Sequence, residues 1–347
     1  MLGEKTKDGI ESPEMELEGE KKKFYFSKEP GFFPLLLKEI VELRKKYKKE
    51  YANNPNPFSK AKSNAFKLLA NASYGYLGFF GARYYSLESA ASTLAFVRKY
   101  NQWTMDRAEK EGYKVIFGDT DSVGFLLNNK KRKEVLNFLE KLNSELHGIM
   151  ELELENFYKR GIFVQKRTGE SGAKKKYALI DDKERLKIRG FETVRRDWCD
   201  LARELQSNVL KMILDNGNSE KAVNYFKEIV KKLKKREISR EEIMIRTQLK
   251  KPISEYKSIT PHVIAAQKMI DSGIPVDVGM LIRYFIAETR EKKELVREKV
   301  KLAEEKGEYN IEYYLNNQII PAVENIFEVF GIDAGDITRE NRQMKLF

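Results

Sequence analysis

The chain has 347 residues, enough for about two domains with substantial cores, and its 65 lysines and arginines against 53 aspartates and glutamates leave a formal charge of +12. That balance asks for an anionic partner, and with no apolar stretch of membrane-spanning length, nucleic acid is favoured over a bilayer. The single cysteine, Cys199, and two distant histidines, His147 and His262, exclude a disulfide framework, a cysteine zinc site and a Cys/His nucleophile pair.

Residues 1–24 read as a polar N-terminal segment without the apolar core of a signal peptide. Pro34 stands near a helix start, and Leu36, Ile40, Leu43 and Tyr47 repeat at helical spacing. Arg44 and Lys48 lie one turn apart on another face, where a solvated surface is the plain reading in so lysine-rich a helix. Asn53-Asn54-Pro55-Asn56-Pro57 breaks the helix, and a second begins near Phe58. On it Lys67, Asn71 and Tyr74 occupy positions i, i+4 and i+7, so one face presents an ammonium, an amide and a phenol. A cation for a triphosphate, an amide to orient it and a flat ring for a sugar or base suit a nucleotide. An ordinary amphipathic helix with a core tyrosine and a solvated lysine has the same pattern.

Helices are predicted over Ser89–Glu111 and Arg132–Leu146, and between them lies Phe117-Gly118-Asp119-Thr120-Asp121-Ser122. Apolar runs on both sides make this a hairpin, with Gly118 supplying freedom for the bend. If extended geometry persists into the turn, Asp119 and Asp121 project to one side and Thr120 to the other. Two hard oxygen ligands on one edge suit Mg2+, which favours a carboxylate or two plus water and substrate phosphates. The alternative is a capped turn with solvated aspartates. Leu152–Glu155 reads as a strand that lends Glu153 or Glu155 to the site's electrostatics or simply forms a solvated edge. After a turn at Thr168–Gly172, Lys174, Lys175, Lys176 and Tyr177 form a basic strand edge, fit for phosphates or minor-groove acceptors, or else a lysine-rich hairpin tip. Beyond Arg196 the apolar periodicity is helical over Asp197–Leu214, Ser219–Lys235 and Asn310–Phe330.

The order K-x-x-x-N-x-x-Y-G at Lys67–Gly75, then G-D-T-D-S at Gly118–Ser122, closely resembles family B DNA polymerases of the archaeal replicative type. Further segments extend the likeness over nearly the whole chain after the first two dozen residues. Gly31–Leu37 and Glu42–Lys48 resemble the start of the fingers, and Phe157–Gly161 with Lys174–Tyr177 resembles the palm that grips primer-template. Val194–Trp198 resembles the entry to the thumb, and Glu255–Val263 and Glu312–Val323 resemble the thumb itself.

The resemblance implies an α+β right-hand architecture: fingers as a helical hairpin over 25–77, a palm with the GDTDS hairpin over 78–195, and a mostly helical thumb over 196–342. It implies DNA-directed DNA synthesis by two-metal nucleotidyl transfer. Asp121 becomes the main Mg2+ ligand and Asp119 a lesser one; Arg44, Lys48, Lys67 and Asn71 hold the dNTP, and Tyr74 packs near the nascent pair. Lys174, Lys175, Tyr177, Arg196 and Lys257 become contacts to primer-template DNA. The family's other metal-binding aspartate, in D-x-x-S-L-Y-P-S, does not occur here, nor is there room for N-terminal and exonuclease domains. The chain therefore resembles the C-terminal part of a polymerase, split or truncated, that needs an N-terminal polymerase chain to supply that aspartate and the exonuclease. The end of the chain, Gln343, Leu346 and Phe347 in residues 343–347, partly matches peptides that dock on the sliding clamp; a tail with an incidental apolar end is the alternative. The implied location is the cytoplasm, at the nucleoid. The rival readings are a noncatalytic polymerase-like subunit that binds DNA or recruits the clamp, and an RNA-binding protein, which the absence of an aromatic RNA-binding motif disfavours.

Overall fold

The computed structural model describes residues 9–165, 172–194, 197–289 and 295–339, and the fold is of the α+β class. The chain forms two compact units, Met1–Leu154 and Glu155–Phe347. The division falls inside the region expected to be a single palm at 78–195.

The first unit opens with four short strands, β1 (Ile10–Glu11), β2 (Met15–Leu17), β3 (Glu20–Lys22) and β4 (Tyr25–Phe26). They pair as β1 with β4 and β2 with β3, so the segment expected to be merely polar carries local structure, with Ser12 and Met15 buried. Two long helices follow, α1 (Phe32–Asn53) and α2 (Pro57–Leu77). The Asn-Pro-rich break ends α1 and starts α2: the Asn56 side chain accepts from the Ser59 N–H at 2.8 Å, and Pro57 occupies the first turn, where a missing N–H costs nothing. Phe33 stacks on Tyr76 with ring centroids 6.5 Å apart, Tyr47 stacks on Phe66 at 5.8 Å, and Ser59 donates to Glu50 at 2.6 Å. Contacts that pair early residues of α1 with late residues of α2 define an antiparallel helical hairpin. The hairpin seam includes Phe33 and Tyr47, while Leu36, expected on the apolar stripe, is 41% exposed.

Helix α3 (Leu87–Lys110), capped by Ser86, leads into β5 (Lys114–Asp119) and β6 (Ser122–Leu126), and α4 (Arg132–Glu145) closes the unit. Tyr113, Phe125 and Phe138 form one aromatic cluster, with Tyr113 4.6 Å from Phe125 and 5.2 Å from Phe138, which ties the β-hairpin to α4. Leu152–Glu155, expected as a strand, has no regular secondary structure.

The second unit is built on two antiparallel three-stranded sheets. One contains β7 (Tyr158–Gln165), β8 (Gly172–Asp181) and β9 (Leu186–Arg189) in that order; the other contains β10 (Ile245–Gln248), β11 (Leu281–Ile286) and β12 (Val300–Leu302). Around them lie α5 (Asp200–Asn216), α6 (Glu220–Lys234), α7 (Arg240–Ile243), α8 (Pro261–Asp271), α9 (Ile311–Tyr314), α10 (Ile320–Glu328) and α11 (Ala334–Arg339). One hydrophobic cluster runs from Ile162 and Ile180 in the first sheet through Leu205, Phe226 and Phe285 to Phe327. The expected single helix over Asn310–Phe330 is interrupted by a π-helical turn at Leu315–Ile319, just before Pro321, whose ring nitrogen has no N–H to continue the ladder. Within that turn Gln318 accepts from the Cys199 N–H at 3.0 Å, and Cys199 is fully buried with its thiol pushed up to about 12 by burial.

Candidate active site

The β5–β6 hairpin turns over two residues, Thr120 and Asp121, between the paired residues Asp119 and Ser122. Thr120 adopts a left-handed φ of 50°, so extended geometry does not persist into the turn and the simple same-side argument for Asp119 and Asp121 fails. Asp121 sits at the exposed tip, and Asp119 is half-buried at the end of β5, accepting from the Thr120 hydroxyl at 3.2 Å. Gly118 has a role other than the one expected. A Cβ there would come within 2.6 Å of Met105 Sδ, so glycine lets α3 approach the strand and the bend is made at Thr120. Among the described residues no group of three or more carboxylate, histidine or cysteine side chains is arranged to hold a metal ion. Asp119 and Asp121 have the hard oxygen chemistry that Mg2+ favours, and two carboxylates would make only part of a ligand set.

In the same unit, the helical hairpin gathers cations around one carboxylate. Lys48 donates to Glu153 Oε1 at 2.8 Å, and Arg44 Nη2 lies 3.7 Å from the same oxygen. The Glu153 carboxyl is held below its ordinary value chiefly by the Lys48 hydrogen bond, against the opposing effect of burial, with further contributions from the charges of Lys48, Arg44 and Lys67. Arg44 and Lys48 on α1 and Lys67 on α2 are thus brought to one level of the hairpin. Lys67, Asn71 and Tyr74 are all exposed along α2, Tyr74 at 39%, so the tyrosine is not the core residue of the plain amphipathic reading. Lys45 makes a separate pair with Glu151 at 2.7 Å.

The acidic residues at 151, 153 and 155 were the least legible part of the site. Leu152–Glu155 is expected as a strand carrying Glu153 and Glu155, whereas Glu153 pairs with α1, as does Glu151 just before that segment, and Glu155 pairs with Lys187 within the second unit at 2.5 Å. Lys187 is on β9, within the same sheet as the basic strand edge. On that edge Lys175 is exposed and adopts a left-handed φ of 63°, and a side chain at Gly190 would strike its carbonyl. Lys176 turns inward to Glu192 at 2.9 Å, and Glu192 also accepts from Gln206 at 2.6 Å, a buried network that the lysine run concealed. Tyr177, among the expected DNA contacts, is 7% exposed as a residue, and its ring stacks on Phe163 at 5.4 Å. Lys257 is exposed beside Tyr256, whose hydroxyl accepts from the Lys250 N–H at 3.0 Å. Lys174 falls on β8, but its side chain lies outside the described part of the structure, as do Arg196, Gln343, Leu346 and Phe347.

The first unit carries an exposed two-aspartate turn and a helical hairpin that presents cations, and the second unit carries a basic strand edge of its own. The family described as DNA polymerase family B matches residues 3–330, and the chain belongs to it. It is 40% identical over 321 residues to a DNA polymerase of Pyrococcus glycovorans, covering 89% of this chain and 40% of that relative. It is 37% identical over 333 residues to a DNA polymerase of Thermococcus gorgonarius, covering 91% of this chain and 41% of that one. The structure is similar to that of the family B DNA polymerase from the hyperthermophilic archaeon Pyrobaculum calidifontis, with a TM-score of 0.66, 32% identity, and coverage of 96% of this chain and 42% of the other. The chain therefore spans about two fifths of the length of these relatives. No helix among the described residues is long and apolar enough to cross a membrane.

Proposed function

We propose that the chain forms the nucleotide-binding hairpin, part of the metal site and the DNA-gripping module of a DNA-directed DNA polymerase that works in the cytoplasm at the nucleoid. In this reading α1 and α2 are the fingers, the β5–β6 hairpin and the β7–β9 sheet belong to the palm, and the helical remainder is the thumb. The primer 3′-hydroxyl attacks the α-phosphate of a dNTP, and pyrophosphate leaves. Bound Mg2+ would activate the attacking oxygen and neutralise charge on the leaving one. Asp121 is the principal ligand and Asp119 a lesser one. Arg44, Lys48 and Lys67 neutralise the triphosphate, Asn71 orients it, and Tyr74 offers its exposed ring to the nascent pair. Lys175 and Lys257 contact primer-template phosphates, with Lys174 and Arg196 assigned by resemblance alone, and the tail at Gln343, Leu346 and Phe347 docks on the sliding clamp.

The observation that carries this reading is the convergence of Arg44 and Lys48 on a single carboxylate, whose pKa the charge of Lys67 also helps to lower, in the unit that also holds the aspartate turn. Three cations gathered by two helices form a seat for a polyanion, which a solvated lysine-rich surface does not need. The remaining aspartate comes from a further part of the polymerase. The exposed side chains of Phe32, Phe79, Phe80 and Tyr84 on the first unit support this, because such apolar surface is covered in a finished enzyme.

The test is primer extension by the purified chain, alone and after addition of the N-terminal part of a family B polymerase carrying D-x-x-S-L-Y-P-S. The chain alone should bind primer-template without extending it, and extension should appear on addition. Robust extension by the chain alone would overturn the shared metal site; no extension in either case, with DNA binding intact, would favour a noncatalytic DNA-binding subunit.

A further inference from the structure

Glu153 is delivered to the cation cluster from far along the chain, 105 residues beyond Lys48. Its position is fixed by its neighbour: the Leu152 N–H donates to Asn143 Oδ1 at 2.8 Å, and Asn143 Nδ2 donates back to the Leu152 carbonyl at 3.0 Å. Both backbone groups of the preceding residue are therefore held by one side chain of α4. From that anchor a single carboxylate oxygen meets cations from two successive turns of α1. Glu42 is already available on α1, but it lies 4.0 Å from Lys38, one turn nearer the start of the helix.

We propose that Glu153 is a built-in competitor for the triphosphate: its carboxylate occupies the Arg44, Lys48 and Lys67 cluster and must be displaced when a nucleotide enters. The proposal rests on the assignment of those cations to the triphosphate. Glu153 is 48% exposed and Lys48 53%, so their pair is partly solvated and weak enough to exchange. A ligand with several negative charges gains more from three cations than one carboxylate does, whereas a singly or doubly charged anion gains little by displacing it. Glu153 therefore lowers the affinity of every anion that must displace it, by one common factor set by the strength of its own pairs. It also offsets part of the cluster's positive charge when no nucleotide is present.

Sodium tripolyphosphate and inorganic phosphate, titrated calorimetrically into the full chain, test this without requiring polymerase activity. Glu153→Gln should tighten tripolyphosphate binding roughly three- to tenfold, the gain expected from releasing two partly exposed ion pairs. It should tighten phosphate by a similar factor, because each anion has to displace the same carboxylate. Asn143→Ala, which frees the anchor, should move both affinities in the same direction. Glu42→Gln makes the same change in charge on the hairpin and should leave both within about twofold. If Lys67→Ala weakens tripolyphosphate binding but Glu153→Gln leaves it unchanged, the competitor role is wrong and the triphosphate assignment stands. If neither Lys67→Ala nor Arg44→Ala affects binding, the triphosphate assignment fails and the proposal fails with it.

Discussion

The two units differ sharply in how they bury apolar side chains. Among the described residues the largest fully buried side chains, such as Phe191, Phe226, Phe285, Tyr314 and Phe327, lie in the second unit. In the first unit α1 buries no residue and α2 buries only Ser59, while Phe32 is 63% exposed and Phe80 83%. Burial of apolar area is the main stabilising term in folding, so the second unit has the more extensive core and the first leaves more of its apolar surface exposed. The proposed chemistry is concentrated in the first unit. Its substitutions should therefore register in catalysis and ligand affinity, and those in the second unit in stability and DNA grip.

The largest effect expected is on chemistry. In a polymerase assembled as proposed, Asp121→Asn removes the proposed metal ligand at an exposed turn without touching either core. Incorporation rate should fall by about a thousandfold, the scale for loss of a group acting directly on transition-state charge, with DNA affinity and melting temperature nearly unchanged. Rate and DNA binding measured on one preparation decide it, and unimpaired extension would move the catalytic assignment elsewhere.

The second contrast is one of stability. Phe226 is fully buried, edge-on to Phe327 with ring centroids 5.7 Å apart. Phe226→Ala should cost about 3–5 kcal/mol by removing burial and leaving a cavity. Phe32→Ala in the isolated chain should stay within about 0.5 kcal/mol, since its ring already faces water. Denaturant titration compares the two directly; equal losses would mean that the first unit has a core of its own.

A smaller effect, dependent on pH, belongs to Asp181 at the end of β8. Its carboxylate accepts from the Arg185 and Lys183 backbone N–H groups, each at 2.9 Å, from the Arg185 side chain at 2.8 Å and from Asn156 at 3.1 Å. These bonds, led by the Arg185 backbone, bring its pKa from 3.8 down to about 2. A carboxyl with a depressed folded-state pKa contributes its full stability above its unfolded value and loses it as pH falls. The second unit should therefore lose stability between about pH 4 and pH 2, and Asp181→Asn should flatten that part of the melting-temperature profile. A slope unaltered by the substitution would mean other carboxylates set the acid limit.

What could be read from the sequence follows the range of the interactions concerned. Helices α3 and α4 fall within two residues of expectation, because periodicity and capping groups are local. The hairpin was recognisable from its apolar flanks, but its geometry was not, since Thr120 rather than a glycine takes the left-handed position. Glu151, Glu153 and Glu155 alternate as a strand would, and only tertiary structure assigns each to its cation. The lysine run had the same weakness: spacing marks Lys174, Lys175 and Lys176 as alike, while packing exposes Lys175 and sends Lys176 to Glu192. The family resemblance identified which residues to watch, and packing shows Tyr177 to be largely buried against Phe163, unlike Lys175 near it in sequence.

The smallest effect expected tests that last distinction. If Lys175 neutralises one phosphate, Lys175→Ala should reduce the slope of log affinity against log salt by about one unit while leaving folding intact. Lys176→Ala should leave the salt slope alone and lower the melting temperature, because it strands Glu192 in a buried network. Gly190→Ala links the two: it demands a left-handed φ of 68° from alanine and drives a methyl against the Lys175 carbonyl, shifting the strand that carries the cation. It should weaken DNA binding without reducing the number of phosphates neutralised, so affinity falls at every salt concentration while the slope stays near that of the unaltered chain. DNA titrations at several salt concentrations separate the three variants. A slope change with Lys176→Ala and none with Lys175→Ala would reverse the assignment of the two lysines and would mean that the inward-facing one leaves its pair with Glu192 when DNA arrives.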